Sequence, residues 1–157
     1  MSKNLSLKKI ARNVLNTNQY MTLGTVNEAG KPWVSPVVYA FDSSYNLYFV
    51  SLPSSSHTKS IKRDPALSVA IFDSHQLNGE GVGLQILGEA QVVPARDFAK
   101  AFKCCVSRKF PYGGSASATD FKKFMKLYKY RFYKIKPVEI WMNDPRKKYD
   151  ARVRVRL

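Results

Sequence analysis

The 157 residues are 45% hydrophobic and 24% charged, which excludes a disordered chain and predicts one globular domain over residues 1–157. No stretch reaches the roughly 18 consecutive apolar residues of a membrane span, and Met1-Ser2-Lys3-Asn4 lacks the apolar run of a secretory signal, so the expected compartment is the cytosol. The net charge of +15 is uneven, with 8 Lys and Arg against 6 Asp and Glu in residues 1–93 and 18 against 5 in residues 94–157, a bias that points to an acidic partner or to a solubilising surface.

Leu7, Ile10, Ala11, Val14 and Leu15 recur at helical spacing around Lys8, Lys9 and Arg12 and predict an amphipathic helix. The period then changes to that of strands. Tyr20 to Val26, the turn Asn27-Glu28-Ala29-Gly30 and the run Pro32 to Phe41 read as a β-hairpin. In the second run Trp33, Ser35, Val37, Tyr39 and Phe41 alternate with Val34, Pro36, Val38 and Ala40, so both faces are apolar and both are expected to be covered. Asp42 to Asn46 is a turn and Leu47 to Leu52 a third strand. Pro53 to Ser56 is a polar loop capping a short helix that runs to Asp64 and stops at Pro65. Leu67, Val69 and Ile71 mark a fourth strand, and His75 to Gly81 a flexible connection. Val82 to Val93 forms a fifth strand whose Gly83 and Gly88 suggest a bulge or a close backbone approach.

The basic half opens with a helix from Pro94 that buries Phe98, Ala101, Phe102 and Cys105. The adjacent Cys104 and Cys105 are expected as a reduced pair in it, since two cysteines without spaced partners make neither a disulfide framework nor a zinc site. Tyr112 to Ser117 is a loop. Thr119 or Asp120 caps a helix with Phe121, Phe124, Met125 and Tyr128 inward and Lys122, Lys123 and Lys126 outward. Two strands end the chain, Tyr130 to Met142 and Arg152 to Leu157. Six or seven strands with short early connections and late helices predict a mainly β, mostly antiparallel barrel with peripheral helices.

The chain contains no nucleophile elbow, zinc-protease motif, phosphate loop or dinucleotide fingerprint. Two histidines and eleven scattered carboxylates suggest no metal site, no acid–base pair and no assignable catalytic residue, so chemistry here would be borrowed from a cofactor. One segment suits an anion. Ser51-Leu52-Pro53-Ser54-Ser55-Ser56-His57-Thr58-Lys59 sets hydroxyls, an imidazole, a lysine and a helix start together, as a phosphate monoester needs. The same residues also suit an ordinary serine-rich loop, and His57 taken alone suits a surface position.

The run Thr22-Leu23-Gly24-Thr25-Val26 through Pro32-Trp33-Val34-Ser35-Pro36-Val37 resembles the opening of the pyridoxamine 5′-phosphate oxidase-like family, the FMN-binding split β-barrels. Asn46-Leu47-Tyr48-Phe49-Val50-Ser51, His57 to Pro65, Leu67 to Phe72, Gly79 to Gly88 and Tyr130 to Trp141 extend the likeness over most of the chain. The resemblance implies a six-to-seven-stranded antiparallel split β-barrel that forms a homodimer, with FMN in the grooves between subunits. By position, Trp33, Val34, Ser35, Pro36 and Val37 would lie along the flavin ring and Phe49, Val50 and Ser51 beside the ribityl chain. Ser55, His57, Thr58 and Lys59 would hold the phosphate, and Gly83, Leu84, Gln85 and Trp141 of the other subunit would close over the ring.

The sequence also departs from that family. Where relatives read Lys-x-x-Asn-Ile before Asn-Pro, this chain has His57, Ser60 and Asp64. Gly83 replaces a glutamine, and the C-terminal Arg-x-His pair that takes the substrate phosphate has no counterpart, which argues against vitamin B6 as substrate. The leading expectation is an FMN-dependent oxidoreductase acting on a small molecule. Two others stand beside it. One is a noncatalytic flavin, deazaflavin or heme carrier, with heme disfavoured by the scarcity of histidine. The other is a nucleic-acid binder using Lys122, Lys123, Lys126, Lys129 and Arg146 to Lys148 with Tyr128, Tyr130 and Tyr149.

Overall fold

The computed structural model describes residues 6–77, 79, 81–108, 117–127, 129–147 and 151–157, with Phe124 as backbone only. The expected loop from Tyr112 to Ala116, the inward placement of Phe124 and Tyr128, and Lys148 and Tyr149 lie outside these. The elements are α1 (Leu7–Thr17), β1 (Tyr20–Val26), β2 (Pro32–Phe41), β3 (Leu47–Ser51), α2 (Ser56–Arg63), β4 (Ala66–Phe72), β5 (Gly83–Val92), a single 3₁₀ turn (Ala95–Asp97), α3 (Phe98–Ser107), α4 (Ala118–Leu127), β6 (Arg131–Asn143) and β7 (Arg152–Arg154). No helix among the described residues is long and apolar enough to cross a membrane.

Every strand pairing is antiparallel, and the spatial order is β3-β2-β1-β4-β5-β6-β7. A further pairing of β3 with β6, from Leu47 opposite Ile135 to Ser51 opposite Arg131, closes the first six strands into a barrel and leaves β7 as an outer strand on β6. Closure removes the two edges that an open sheet would present. The inward residues Leu23, Tyr39, Phe49, Ile71, Leu84, Ile86, Tyr133 and Ile135 are all at most 2% exposed and form the core. Helix α1 adds Ala11, Val14 and Leu15 to it, with Ser6 Oγ accepting from Lys9 N at 3.3 Å as its cap.

Local chemistry accounts for the turns. Asn27 Oδ1 accepts from Ala29 N at 3.0 Å and Lys31 N at 2.9 Å, and Gly30 takes a φ of 73° that an L side chain rarely adopts. Between β4 and β5, Gln76 ties the expected flexible connection together. Its amide donates to the Asp73 and Val82 carbonyls and accepts from Val82 N. Gly88 marks a register shift against β6, where an added Cβ would sit 2.8 Å from Ile135 Cγ2 and 2.9 Å from the Lys136 carbonyl oxygen.

Three expectations need correction. Ser117, not Thr119 or Asp120, caps α4: Asp120 N donates to Ser117 Oγ at 3.1 Å and the Ser117 hydroxyl donates back to Asp120 Oδ2 at 2.6 Å. The α3 stripe buries Ala101 fully, but Phe102 and Cys105 are half-buried and Phe98 stays 42% exposed. The outer face of β2 is covered only in part within one chain: Ala40 is 2% exposed, but Val38 is 38% and Val34 63% exposed. The cysteines are free thiols.

Replacing Gly88 with alanine is expected to cost about 1–3 kcal/mol, because the new methyl meets backbone as well as a side chain. A fall in the urea midpoint with the m-value unchanged is the expected result.

Candidate functional site

Strand β3 is used on both faces. Phe49 points into the barrel and stacks on Tyr133 at 5.1 Å, while Tyr48 faces a second, smaller core with Ala101, Met125 and Phe132 beneath α3 and α4. Between that helical layer and strands β2 and β3 lies a cavity of about 570 Å³. Pro36 to Ala40 and Tyr48 to Leu52 line one side, Cys105, Val106, Phe121 and Tyr130 another, with Gln19 and Tyr20 at the start of β1. Ser55 and His57 supply the polar end.

That end is built by a tight return of the chain. Ser55 N donates to the Leu52 carbonyl at 3.1 Å, which turns β3 directly into α2. Ser55 holds the N-cap position but makes no side-chain capping bond; its hydroxyl instead lies 3.2 Å from Ser51 Oγ. The first turn of α2 therefore keeps N–H groups that its N-cap side chain does not take. Ser51 Oγ is also 2.8 Å from His57 Nε2, and the His57 ring packs 6.0 Å from Phe49. Burial pushes the His57 imidazole below its ordinary 6.5, so it is neutral at neutral pH. Two hydroxyls and one imidazole converge at the mouth of an otherwise apolar slot, an arrangement that suits the phosphate of a flat aromatic cofactor.

Of the residues expected to hold cofactor, Pro36, Val37, Phe49, Val50, Ser51, Ser55 and His57 line this cavity. The rest do not. Thr58 is buried, its hydroxyl shared between the Leu52 and Ser55 carbonyls at 2.8 and 2.9 Å. Lys59 faces a separate depression with Asn27, Glu28, Ser56, Ser60 and Arg63. Trp33 Nε1 donates to Ser35 Oγ at 3.1 Å further along β2. Val34, Gln85 and Trp141 share a hollow on the outer face of the sheet with Gly24, Ser68 and Arg152, whose guanidinium donates to Gln85 Oε1 at 2.9 Å. Leu84 is 1% exposed in the core, and Gly83 packs so closely on β4 that a Cβ would lie 2.9 Å from Phe72 Cβ. Leu84 therefore presents no surface to a ligand, and Gly83 has no side chain to offer one.

Two anchors that the sequence did not reveal hold α3 against the cavity. Asp42, read from sequence as a turn residue, is a hub whose side chain is 7% exposed. It pairs with Lys100 Nζ at 2.8 Å and accepts from the Tyr48 hydroxyl at 3.1 Å and the Asn46 amide at 3.0 Å. Burial alone would raise its carboxyl, but hydrogen bonds from Lys100, Asn46 and Tyr48 outweigh that and hold it at about 2. Beyond the other end of α3, Arg108 donates to the Leu15 and Asn18 carbonyls at 2.8 and 2.6 Å with its guanidinium 4.2 Å from the centre of the Tyr39 ring. Cys105 also lines the cavity, and burial raises its thiol to about 12, which disfavours the thiolate. The basic residues are dispersed: Lys122, Lys123 and Lys126 lie exposed on α4, Arg146 is paired with Asp144 at 2.7 Å, and Tyr130 is engaged in the cavity wall.

Residues 7–144 match the family described as pyridoxamine 5′-phosphate oxidase. No curated protein matches the chain. Among solved structures, the heme-binding protein of Mycobacterium smegmatis superposes with a TM-score of 0.73 at 17% identity, over 97% of this chain and 58% of that one. The heme storage protein HutZ of Vibrio cholerae gives 0.69 at 12% identity, over 85% and 91%. An FAD-binding protein of Mesorhizobium loti gives 0.61 at 18%, over 87% and 92%. These similarities share one barrel across proteins named for different ligands.

Because the folded His57 lies below its unfolded value, its protonation favours the unfolded chain. Stability should be fully present above about pH 6.5 and fall as pH drops through the depressed folded value. His57→Gln should flatten that limb of a stability–pH curve measured by urea unfolding.

Proposed function

The chain belongs to the pyridoxamine 5′-phosphate oxidase family, and from that membership we propose that it binds FMN in the cavity between β2, β3 and the helical layer and acts as an FMN-dependent oxidoreductase. The observation that carries the reading is the Ser51–Ser55–His57 cluster at one end of an apolar slot of about 570 Å³. Its fit to FMN is good: the hydroxyls, the imidazole and the start of α2 suit a phosphate, while Pro36, Val37 and Val50 offer apolar surface to a ring. When bound, the flavin supplies the hydride chemistry at its N5, which accounts for a cavity without an acid–base pair. The chain's own groups then bind, orient and exclude water. Phosphate held beside His57 favours the protonated imidazole, so binding draws in a proton.

Heme is the less suitable ligand. His57 Nε2 is engaged with Ser51, and His75 lies exposed, 3.0 Å from Asp73 Oδ1.

The same reading includes a homodimer. The outer face of β1, β2, β4 and β5 leaves Tyr20, Val26, Val34, Val38, Phe72 and Leu87 between 38% and 63% exposed, an apolar surface of the kind a second copy covers. Gln85 and Trp141 of that copy would then reach the flavin, as the family resemblance implies. Free thiols accord with action in the cytosol. The substrate is a small molecule other than a vitamin B6 phosphate, for which the C-terminal Arg-x-His pair is missing.

Titration of purified protein with FMN, followed by flavin fluorescence, should show one flavin per chain. His57→Ala should weaken binding by about tenfold or more, the scale of one charge-assisted contact, and Lys59→Ala by much less. No binding at micromolar FMN would overturn the proposal. Binding without steady NAD(P)H consumption would leave a carrier in place of an enzyme. Separately, Val34→Asp should convert a dimer to a monomer in size-exclusion chromatography and weaken FMN binding with it.

A further inference from the structure

A second pocket lies on the far side of the helical layer. Phe98 and Phe102 of α3, Met125 of α4 and Phe132 of β6 line a groove of about 450 Å³, together with Val92, Val93 and Ala95. It is separated from the cofactor cavity by an aromatic partition in which Phe121 packs 5.7 Å from Phe102 and 5.9 Å from Phe132. The groove floor is not a finished core. Phe98 stacks on Phe102 at 6.1 Å and sets its edge on Phe132 at 5.3 Å, yet 42% of it faces solvent.

The rim carries one sign of charge. Among the described residues, Lys122, Lys126 and Arg131 line the groove and no carboxylate does. Among the described residues, none of the three forms an ion pair. Their heads are placed in two ways. Lys122 Nζ sits 5.6 Å from the centre of the Phe102 ring, and Arg131 Nη1 donates to the Lys129 and Tyr130 carbonyls at 3.3 and 3.1 Å, which fixes its guanidinium beside the opening. An apolar trough of this volume with cations at its lip and no counter-charge complements one kind of small ligand, an acyl chain ending in an anion.

We infer that this groove is a binding site for an amphipathic carboxylate of the fatty-acid type, its chain along Phe98, Phe102 and Met125 and its carboxylate at Lys122, Lys126 and Arg131. The site is independent of the flavin reading, since it shares only Tyr130 with the cofactor cavity.

The test uses the full chain with methyl-labelled methionine, titrated below the micellar range with decanoate, decyl phosphate, decanol and decyltrimethylammonium, with and without FMN. Decanoate should shift the Met125 methyl resonance saturably and bind tighter than decanol or the cation. The double variant Lys122→Gln/Lys126→Gln should weaken decanoate by roughly tenfold, the reach of two exposed ion pairs, and leave decanol unchanged. Ala95→Trp should block the groove to both. Tighter binding of decyl phosphate than of decanoate would overturn the carboxylate assignment. A stationary Met125 resonance, equal affinity for decanoate and decanol, or displacement of FMN by decanoate would overturn the site. Apart from that displacement, none of these outcomes depends on whether FMN itself binds.

Discussion

The pairing of β3 with β6 is the constraint on which the rest depends. Five residues, Leu47 to Ser51, complete the barrel wall between β2 and β6. A strand so placed has no solvent face to give away: Leu47 and Phe49 fill the barrel, and Tyr48 and Val50 fill the layer beneath the helices. Its last residue, Ser51, comes out at the rim where the chain turns at once into α2. The hydroxyl–imidazole cluster therefore sits at that rim as a consequence of closure.

The helical layer is attached by polar contacts as well as by packing. The Asp42 side chain is largely shielded from solvent and bonded by Lys100, Asn46 and Tyr48. A buried carboxylate is tolerated only with that many donors, and losing one leaves a charge without compensation. Arg108 performs the matching task beyond the other end of α3, donating to the Asn18 carbonyl and joining the Tyr39 hydroxyl at the Leu15 carbonyl. These contacts hold α3 at a set distance from β2 and β3, so the space between stays open to a ligand while its aromatic wall remains ordered.

The molecule presents unfinished apolar surface in two places, with different surroundings. On the outer sheet face, Gly24 lies close against Ser68, where an added Cβ would clash with Ser68 Oγ, and Val34, Phe72 and Leu87 are exposed. That is a broad surface suited to another broad surface. In the groove between α3, α4 and β6, the apolar floor is narrow and the lip cationic. The contrast explains why one accords with a protein copy and the other with a small amphipathic anion.

Much of the fold was legible in the residues. The alternation in β4 and β5, the asparagine and glycine of the first hairpin and the helical spacing of Leu7 to Leu15 each act over a few neighbours, where backbone preference and side-chain period decide the outcome. Gly88 likewise announced its bulge, because a missing Cβ in a strand implies a neighbour that needs the space. The serine-rich bend was legible as a candidate anion site, but which of its side chains meet at the cavity was not. Whether Lys59 or His57 turns to the cavity depends on how α2 is rotated about its axis, and that is settled by burying Thr58, Ser60 and Ile61. The roles of Asp42, Arg108, Cys105 and Tyr130 were also out of reach, because each depends on a partner far along the chain or on a cavity wall assembled from several elements. Sequence determined the strands, the turns and the chemical character of the bend. Tertiary structure alone decided which side chains share a space, since that follows from closing the barrel and seating the helices on it, and neither is a local property of the chain.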